Sequence, residues 1–179
     1  MIRLFVFLLT FAPLLHAGAE EASLRIITVV GTGGTDTYEK IFAESAERWK
    51  AAADLGGAEF TLIGAGTKDS ETSDHDLLKE AIETAAEPEL WIVLIGHGSF
   101  DSRTVKFNLQ GPDFTDKDLA NWVKAYPGAL AVINTASSSG SFIRTLSAPN
   151  RTIITATKNE AEVFYTRFGN YFSEAIGGL

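Results

Sequence analysis

The chain contains no cysteine in its 179 residues. It therefore has no disulfide, and no thiol that could act as a nucleophile or bind a metal. Basic side chains are also few, 15 Lys and Arg against 23 Asp and Glu. An acidic surface disfavours nucleic acid and anionic membranes as partners, because both carry the same sign of charge. We expect a partner of another class.

The longest apolar run lies at the very start of the chain. A short positive start, Met1 to Arg3, precedes an apolar run from Leu4 to Leu15, and small residues follow at 17–19. This pattern predicts a cleaved signal peptide at residues 1–19. About a dozen apolar residues fall short of the roughly 20 that span a bilayer, so we expect no membrane span in the mature chain. Export without disulfides is typical of a bacterial periplasmic or secreted protein.

Removing 19 of the 179 residues leaves 160, which is enough for one domain with a sizeable core. Arg3 is the one charged residue removed, so 14 basic side chains remain against 23 acidic ones, a net charge of −9. We place this domain at residues 25–177.

Five short apolar runs predict strands, at residues 25–30, 59–63, 90–95, 130–133 and 151–156. Helical patterns lie at 37–53, from Ser73 onwards, from Thr115 onwards and at 160–176, and residues 105–109 predict a small hairpin arm. Strands that alternate with helices predict a three-layer α/β/α sandwich with a mostly parallel sheet. In such sheets, ligands bind at the carboxyl ends of the strands.

A glycine-rich turn, Gly31 to Gly34, follows the first strand. The dinucleotide fingerprint G-x-G-x-x-G would require glycine at position 36, where Asp36 would repel a pyrophosphate. The turn also lacks the lysine of a P-loop. We interpret it as a structural turn and keep a small-ligand site at this place as an alternative.

His97 lies between Gly96 and Gly98, directly after the most apolar strand. The glycines allow a substrate backbone to approach, and the Gly98 N–H can face a ligand. The other two histidines fit a site less well. His16 lies in the signal peptide, and His75 lies at a helix start, where a solvated capping role is expected.

Two carboxylates, Asp101 and Asp113, could orient the His97 ring, although a surface role is favoured for each. No second histidine lies near His97 in the sequence, and the acidic residues show no metal-ligand spacing. We therefore expect neither a metal nor a cofactor.

The strand at 130–133 leads into a run of small polar residues that includes Ser137–Ser139. The segment ASSSG at 136–140 is a loose variant of the hydrolase motif G-x-S-x-G, centred on Ser138. Such hydrolases need a histidine after the serine in the chain, and none follows His97. The α/β-hydrolase interpretation therefore fails.

Four segments resemble the caspase–legumain clan of cysteine peptidases, within roughly residues 25–177. IVLIGHGSFD, from Ile92, resembles the clan's apolar strand that ends in His-Gly. INTASSSGSF, from Ile133, resembles the strand that ends in the catalytic cysteine followed by small residues. KFNLQGPDFTDKDLANWV is similar to the segment after the histidine in legumain and the GPI-anchor transamidase, and TIITATKNEAE is similar to their next strand and its acidic tail.

The resemblance implies a caspase-like fold in which His97 is the catalytic histidine and Ser137 replaces the nucleophilic cysteine. The backbone N–H groups of Gly98 and Ser137 would form the oxyanion hole. A serine hydroxyl is a far poorer nucleophile than a partly ionised thiol, so the replacement should remove most of the rate. Clan members usually continue with another strand, so we also expect a minimal or C-terminally incomplete version of the fold.

The sequence therefore favours an exported, catalytically inactive or very weak peptidase-like domain that binds a peptide or protein segment. Two alternatives stay open. One is an active hydrolase with a Ser137–His97 dyad, and the other is a small-ligand-binding domain that uses the Gly31–Gly34 turn.

Overall fold

The computed structural model describes residues 23–65 and 71–178. The predicted signal peptide at 1–19 lies outside these residues. Numbered along the chain, the central strands are β1 (Leu24–Val30), β2 (Glu59–Gly64), β3 (Glu89–Ile95), β7 (Ala129–Asn134) and β8 (Arg151–Thr155). They form one parallel sheet, which confirms the five predicted strands, and their order in it is β2-β1-β3-β7-β8.

Three of the five helices begin after a residue whose side-chain oxygen accepts a hydrogen bond from a free backbone N–H. The five are α1 (Asp36–Gly56), α2 (Asp74–Glu83), α3 (Asp116–Trp122), α4 (Ser141–Leu146) and α5 (Phe168–Gly177), with a 3-10 turn at Val123–Ala125. Thr35, Ser73 and Thr115 cap α1, α2 and α3 through their side-chain oxygens. The predicted helix starts at Ser73 and Thr115 are confirmed.

Helices cover both faces of the sheet, which confirms the three-layer α/β/α sandwich. α1 and α5 pack on one face, around the buried Trp49. α2, α3 and α4 cover the other face through Leu78, Leu119 and Phe142. Strand β1 alternates between the two cores, as expected of a strand that is buried on both sides. Over the described part of the chain, no helix has both the length and the apolar character needed to cross a membrane.

A second, antiparallel sheet lies beside the central one. It consists of β4 (Gly98–Phe100), β5 (Val105–Phe107) and β6 (Phe114–Thr115), with β5 in the middle. Phe107 and Phe114 stack with ring centroids 5.4 Å apart and join the core beneath α2 and α3. The predicted hairpin arm at 105–109 is the central part of this sheet. Because β4 starts at Gly98, the small sheet fixes the loop that carries His97.

The predicted helix at 160–176 is wrong over its first half. α5 begins only at Phe168, and residues 156–167 form an irregular segment. Phe164, whose spacing predicts a buried position, is 87 % exposed, whereas its neighbour Tyr165 packs inward against other aromatic rings. Hydrogen bonds to the residues after β7 hold this segment in its non-helical conformation.

Candidate functional site

The carboxyl ends of β3 and β7 meet at one edge of the sheet. The two strands are direct neighbours, with Leu94 opposite Asn134. His97 follows β3 and Ser137 follows β7, so both residues lie beyond the same edge. Their parallel pairing thus brings the two segments that resemble the clan's site motifs to neighbouring positions.

The Ser137 hydroxyl is held by the backbone of Gly98. It donates to the Gly98 carbonyl oxygen at 2.9 Å and accepts from the Gly98 N–H at 3.3 Å. Ser137 itself is only 4 % exposed. A hydroxyl has a single proton, so in this arrangement none is offered to an imidazole. The Gly98 N–H, predicted to bind an oxyanion, is directed at Ser137 instead.

Both glycines beside His97 are required by packing. A Cβ on Gly98 would lie 2.1 Å from the Ser137 carbonyl oxygen, and a Cβ on Gly96 would lie 2.8 Å from the Phe107 ring. Both distances are too short for a real Cβ to occupy without movement of its neighbours. The Gly-His-Gly pattern thus has a structural cause: it allows the loop after β3 to approach the turn after β7 and the small sheet.

The His97 ring packs in an aromatic cluster beside α1. Its centroid lies 4.7 Å from that of Tyr38, 5.1 Å from that of Phe42 and 5.8 Å from that of Tyr165, all in edge-on geometry. Burial lowers the pKa of the imidazole below its ordinary value, while a hydrogen bond to the backbone of Gly33 acts in the opposite direction. The sequence motifs identified His97 but none of the three rings that surround it, because those rings come from distant parts of the chain.

Within the described residues, no base is bonded to the Ser137 hydroxyl, and no carboxylate is bonded to His97. Both hydrogen bonds of the Ser137 hydroxyl go to Gly98. Asp101 and Asp113 accept hydrogen bonds from backbone N–H groups in their own loops, so neither acts on His97. Without a carboxylate partner, a partly buried imidazole is a weaker base than a free one, because burial disfavours its charged form.

His75 has a different role from the one that its position predicts. The side chain that caps α2 is Ser73, which accepts from the Asp76 N–H. His75 instead lies 3.0 Å from the Asp76 carboxylate and packs edge-on against Trp122, with ring centroids 5.0 Å apart. These contacts link α2 to α3 and do not involve His97.

The serine-rich turn after β7 is buried throughout. Ser138 has a left-handed backbone, with φ at +55°, and its N–H donates to the Glu162 carbonyl oxygen at 2.9 Å. Ser139 Oγ accepts from the Thr157 N–H at 3.2 Å. The hydroxyls of Ser138 and Ser141 have no hydrogen-bond partner among the described residues. Unpaired buried hydroxyls and left-handed serines are both unfavourable, so this turn is locally strained.

Residues 157–166 lie against this turn, and we call them the covering segment. Thr157 Oγ1 accepts from the Gly140 N–H at 3.1 Å, and Thr166 Oγ1 donates to the Thr135 carbonyl oxygen at 3.1 Å. A Cβ on Gly140 would lie 2.3 Å from the Asn159 nitrogen. Sequence patterns did not predict this contact, because aromatic residues at helical spacing extend into the segment.

The Gly31–Gly34 turn borders a cavity of about 530 Å³ at the carboxyl ends of β1 and β2. The Gly31 N–H donates to the Ile95 carbonyl oxygen at 2.9 Å, which ties the turn to β3. Glu39 and Asp74 also line the cavity. Their carboxylates disfavour a phosphate ligand, in agreement with the exclusion of a dinucleotide site.

Across residues 23–65 and 71–178, no group of three or more His, Asp or Glu side chains is placed to hold a metal ion. Comparison with known proteins gives no match to any family model, curated protein or solved structure. The resemblance to the caspase–legumain clan thus depends on the four sequence segments quoted above.

Proposed function

We propose that the protein is an exported, peptidase-like domain that binds a peptide or protein segment at the sheet edge bearing His97 and Ser137, with little or no cleavage. The observation that carries the proposal is the pairing of Ser137 with Gly98. The proton of the hydroxyl goes to a backbone carbonyl oxygen and not to an imidazole. A histidine and a nucleophile position lie on adjacent strands, but the proton transfer that would link them is missing.

The chemistry of serine and cysteine explains why this matters. A serine nucleophile needs a base that takes up its proton during attack. His97 is a poor candidate for that base, because burial lowers the pKa of its imidazole. A thiol depends less on such a base, since it is already partly ionised near neutral pH. Replacement of cysteine by Ser137 therefore suppresses bond cleavage and leaves in place the surrounding residues that would recognise a peptide.

Restoring the thiol tests the proposal. We expect Ser137→Cys to cleave peptides that contain Asn or Asp, and the wild-type protein to leave them intact, with the products read by mass spectrometry. Ser141→Cys is the matched control, because Ser141 begins α4 directly after the same turn and is 5 % exposed against 4 % for Ser137. It should be inactive.

Two outcomes would contradict the proposal. A folded Ser137→Cys variant that neither cleaves nor binds these peptides would show that the edge does not recognise peptides. Cleavage by the wild-type protein that is lost in His97→Ala would show that Ser137 and His97 act as a catalytic dyad.

The cavity beside Gly31–Gly34 favours a second candidate, a domain that binds a small molecule. Its volume of about 530 Å³ lies within the range of ligand pockets, about 300–1,000 Å³. Its position at strand carboxyl ends is also the usual one for ligands of α/β sheets. Hydrogen exchange with a panel of free amino acids and nucleotides tests it: protection of the Gly31–Gly34 amides would support this function, and unchanged exchange would exclude it for those compounds.

A further inference from the structure

The covering segment contacts His97 and the residue next to Ser137. The Glu162 carbonyl oxygen accepts the Ser138 N–H at 2.9 Å, one residue from the nucleophile position. The Tyr165 ring packs against His97, with centroids 5.8 Å apart. A backbone carbonyl at one point and a side chain at another are the contacts that a bound peptide would make. The protein supplies both from its own chain.

The middle of the covering segment buries little apolar side-chain area. Val163 and Phe164 are 49 % and 87 % exposed, so they bury little apolar area. The charged contacts of the segment, such as Arg144 with Glu160 at 3.2 Å, lie at the surface, where ion pairs contribute little. Segments with few buried apolar contacts are the ones that open locally, without unfolding of the domain.

The turn beneath the segment is not fully satisfied in the closed state. Ser138 keeps a left-handed backbone, and its buried hydroxyl lacks a partner within the described chain. Both features are unfavourable, and opening of the segment would relieve the second by admitting water. The free-energy difference between the closed and open forms is reduced accordingly.

We infer that the covering segment, residues 157–166, is an intramolecular occupant of the Ser137–His97 site and that it opens locally to admit a ligand. This inference rests on the proposed function in one respect, the identification of that edge as the binding site. The Thr157 hydrogen bonds at one end of the segment and the Tyr165 ring at the other are its anchors. Their strength then sets how often the site is exposed, so they have a regulatory role.

Thiol labelling tests the inference, because the protein has no cysteine of its own. Ser137→Cys places a single thiol beside Ser138, whose N–H is bonded to the covering segment, and its reaction rate with a maleimide is compared with the rate in denaturant. We expect protection of at least about a hundredfold in the native protein. Low urea should change the rate only weakly, since local opening exposes little surface.

Removing an anchor should speed labelling without unfolding the protein. In the Ser137→Cys background, Tyr165→Ala should raise the rate about tenfold or more, because it removes the ring that covers His97. Tyr171→Ala is the matched control. It is the same substitution at a residue that is 61 % exposed and makes no ring contact among the described residues, and it should leave the rate unchanged.

Two results would overturn the inference. Ser147, directly after α4, is exposed and gives the rate of an open position. If the thiol of Ser137→Cys reacts as fast as that of Ser147→Cys, the site is already open. If labelling depends on urea as steeply as global unfolding does, and Tyr165→Ala changes it only in proportion to overall stability, the segment does not open by itself. Neither readout involves catalysis, so failure here is distinct from failure of the proposed function.

Discussion

Replacing Ser137 by alanine is expected to destabilise the protein. The hydroxyl is buried and makes two hydrogen bonds to Gly98, at 2.9 and 3.3 Å. One such bond contributes about 0.5–1.5 kcal/mol net, and a buried partner left unpaired costs about 1–3 kcal/mol. The 3.3 Å contact is long and adds little. We therefore expect the free energy of unfolding to fall by about 1–2 kcal/mol, which lowers Tm by about 2–8 °C for a domain of this size.

Ser141→Ala is the control for this prediction. Ser141 has nearly the same burial as Ser137, but its hydroxyl has no partner among the described residues. Removal of an unpaired buried hydroxyl should leave stability unchanged or raise it. Urea unfolding followed by tryptophan fluorescence measures both variants. Equal losses of stability in the two variants would show that the Gly98 hydrogen bonds do not stabilise the protein. A gain of stability in Ser137→Ala would contradict the prediction and is the result expected of a catalytic serine, because catalytic groups commonly reduce stability.

Two further predictions concern His97 and Gly140. Because burial lowers the pKa of His97 in the folded protein, the unfolded chain takes up that proton first as the pH falls below about 6.5. The free energy of unfolding should therefore decrease on acidification through this range, and His97→Gln should show a smaller decrease in urea unfolding at the same pH values; identical slopes would contradict this. Gly140→Ala should lower stability by about 1–3 kcal/mol, because its Cβ would lie 2.3 Å from the Asn159 nitrogen. Gly56→Ala should raise stability by about 0.4–1 kcal/mol, because a Cβ at this position at the end of α1 would have no atom within 4 Å. Equal changes of stability in the Gly140 and Gly56 variants, measured by thermal unfolding, would contradict this prediction.

The sheet was predictable because its strands are local features. Each is a short apolar run rich in β-branched residues, and the observed bounds differ from the predicted ones by one residue or so. The helix starts at Ser73 and Thr115 were predictable for the same reason, since a cap depends on residues within one turn. Strand order depends on contacts between distant residues, and the sequence supported it only through the general rules for parallel sheets.

The placement of His97 and Ser137 at one sheet edge was predictable, and their hydrogen bonds were not. Parallel strands bring their carboxyl ends to one edge, which is sufficient to place His97 and Ser137 there. The direction of the Ser137 proton depends on the approach of Gly98, 39 residues away in the chain. The helix predicted from Glu160 failed for a related reason. Its aromatic spacing is local, whereas the bonds of Glu162 and Thr166 to the turn after β7 are long-range and override it.

Covalent labelling of the wild-type protein with a fluorophosphonate addresses most directly whether Ser137 is activated. The reagent reacts with serine hydroxyls whose proton is taken by a base, and the adduct is read by intact-protein mass spectrometry. We expect no adduct on Ser137, either in the wild-type protein or in Tyr165→Ala, under conditions that fully label an active serine hydrolase. An adduct on Ser137 that disappears in His97→Ala would contradict this and establish a working serine–histidine pair.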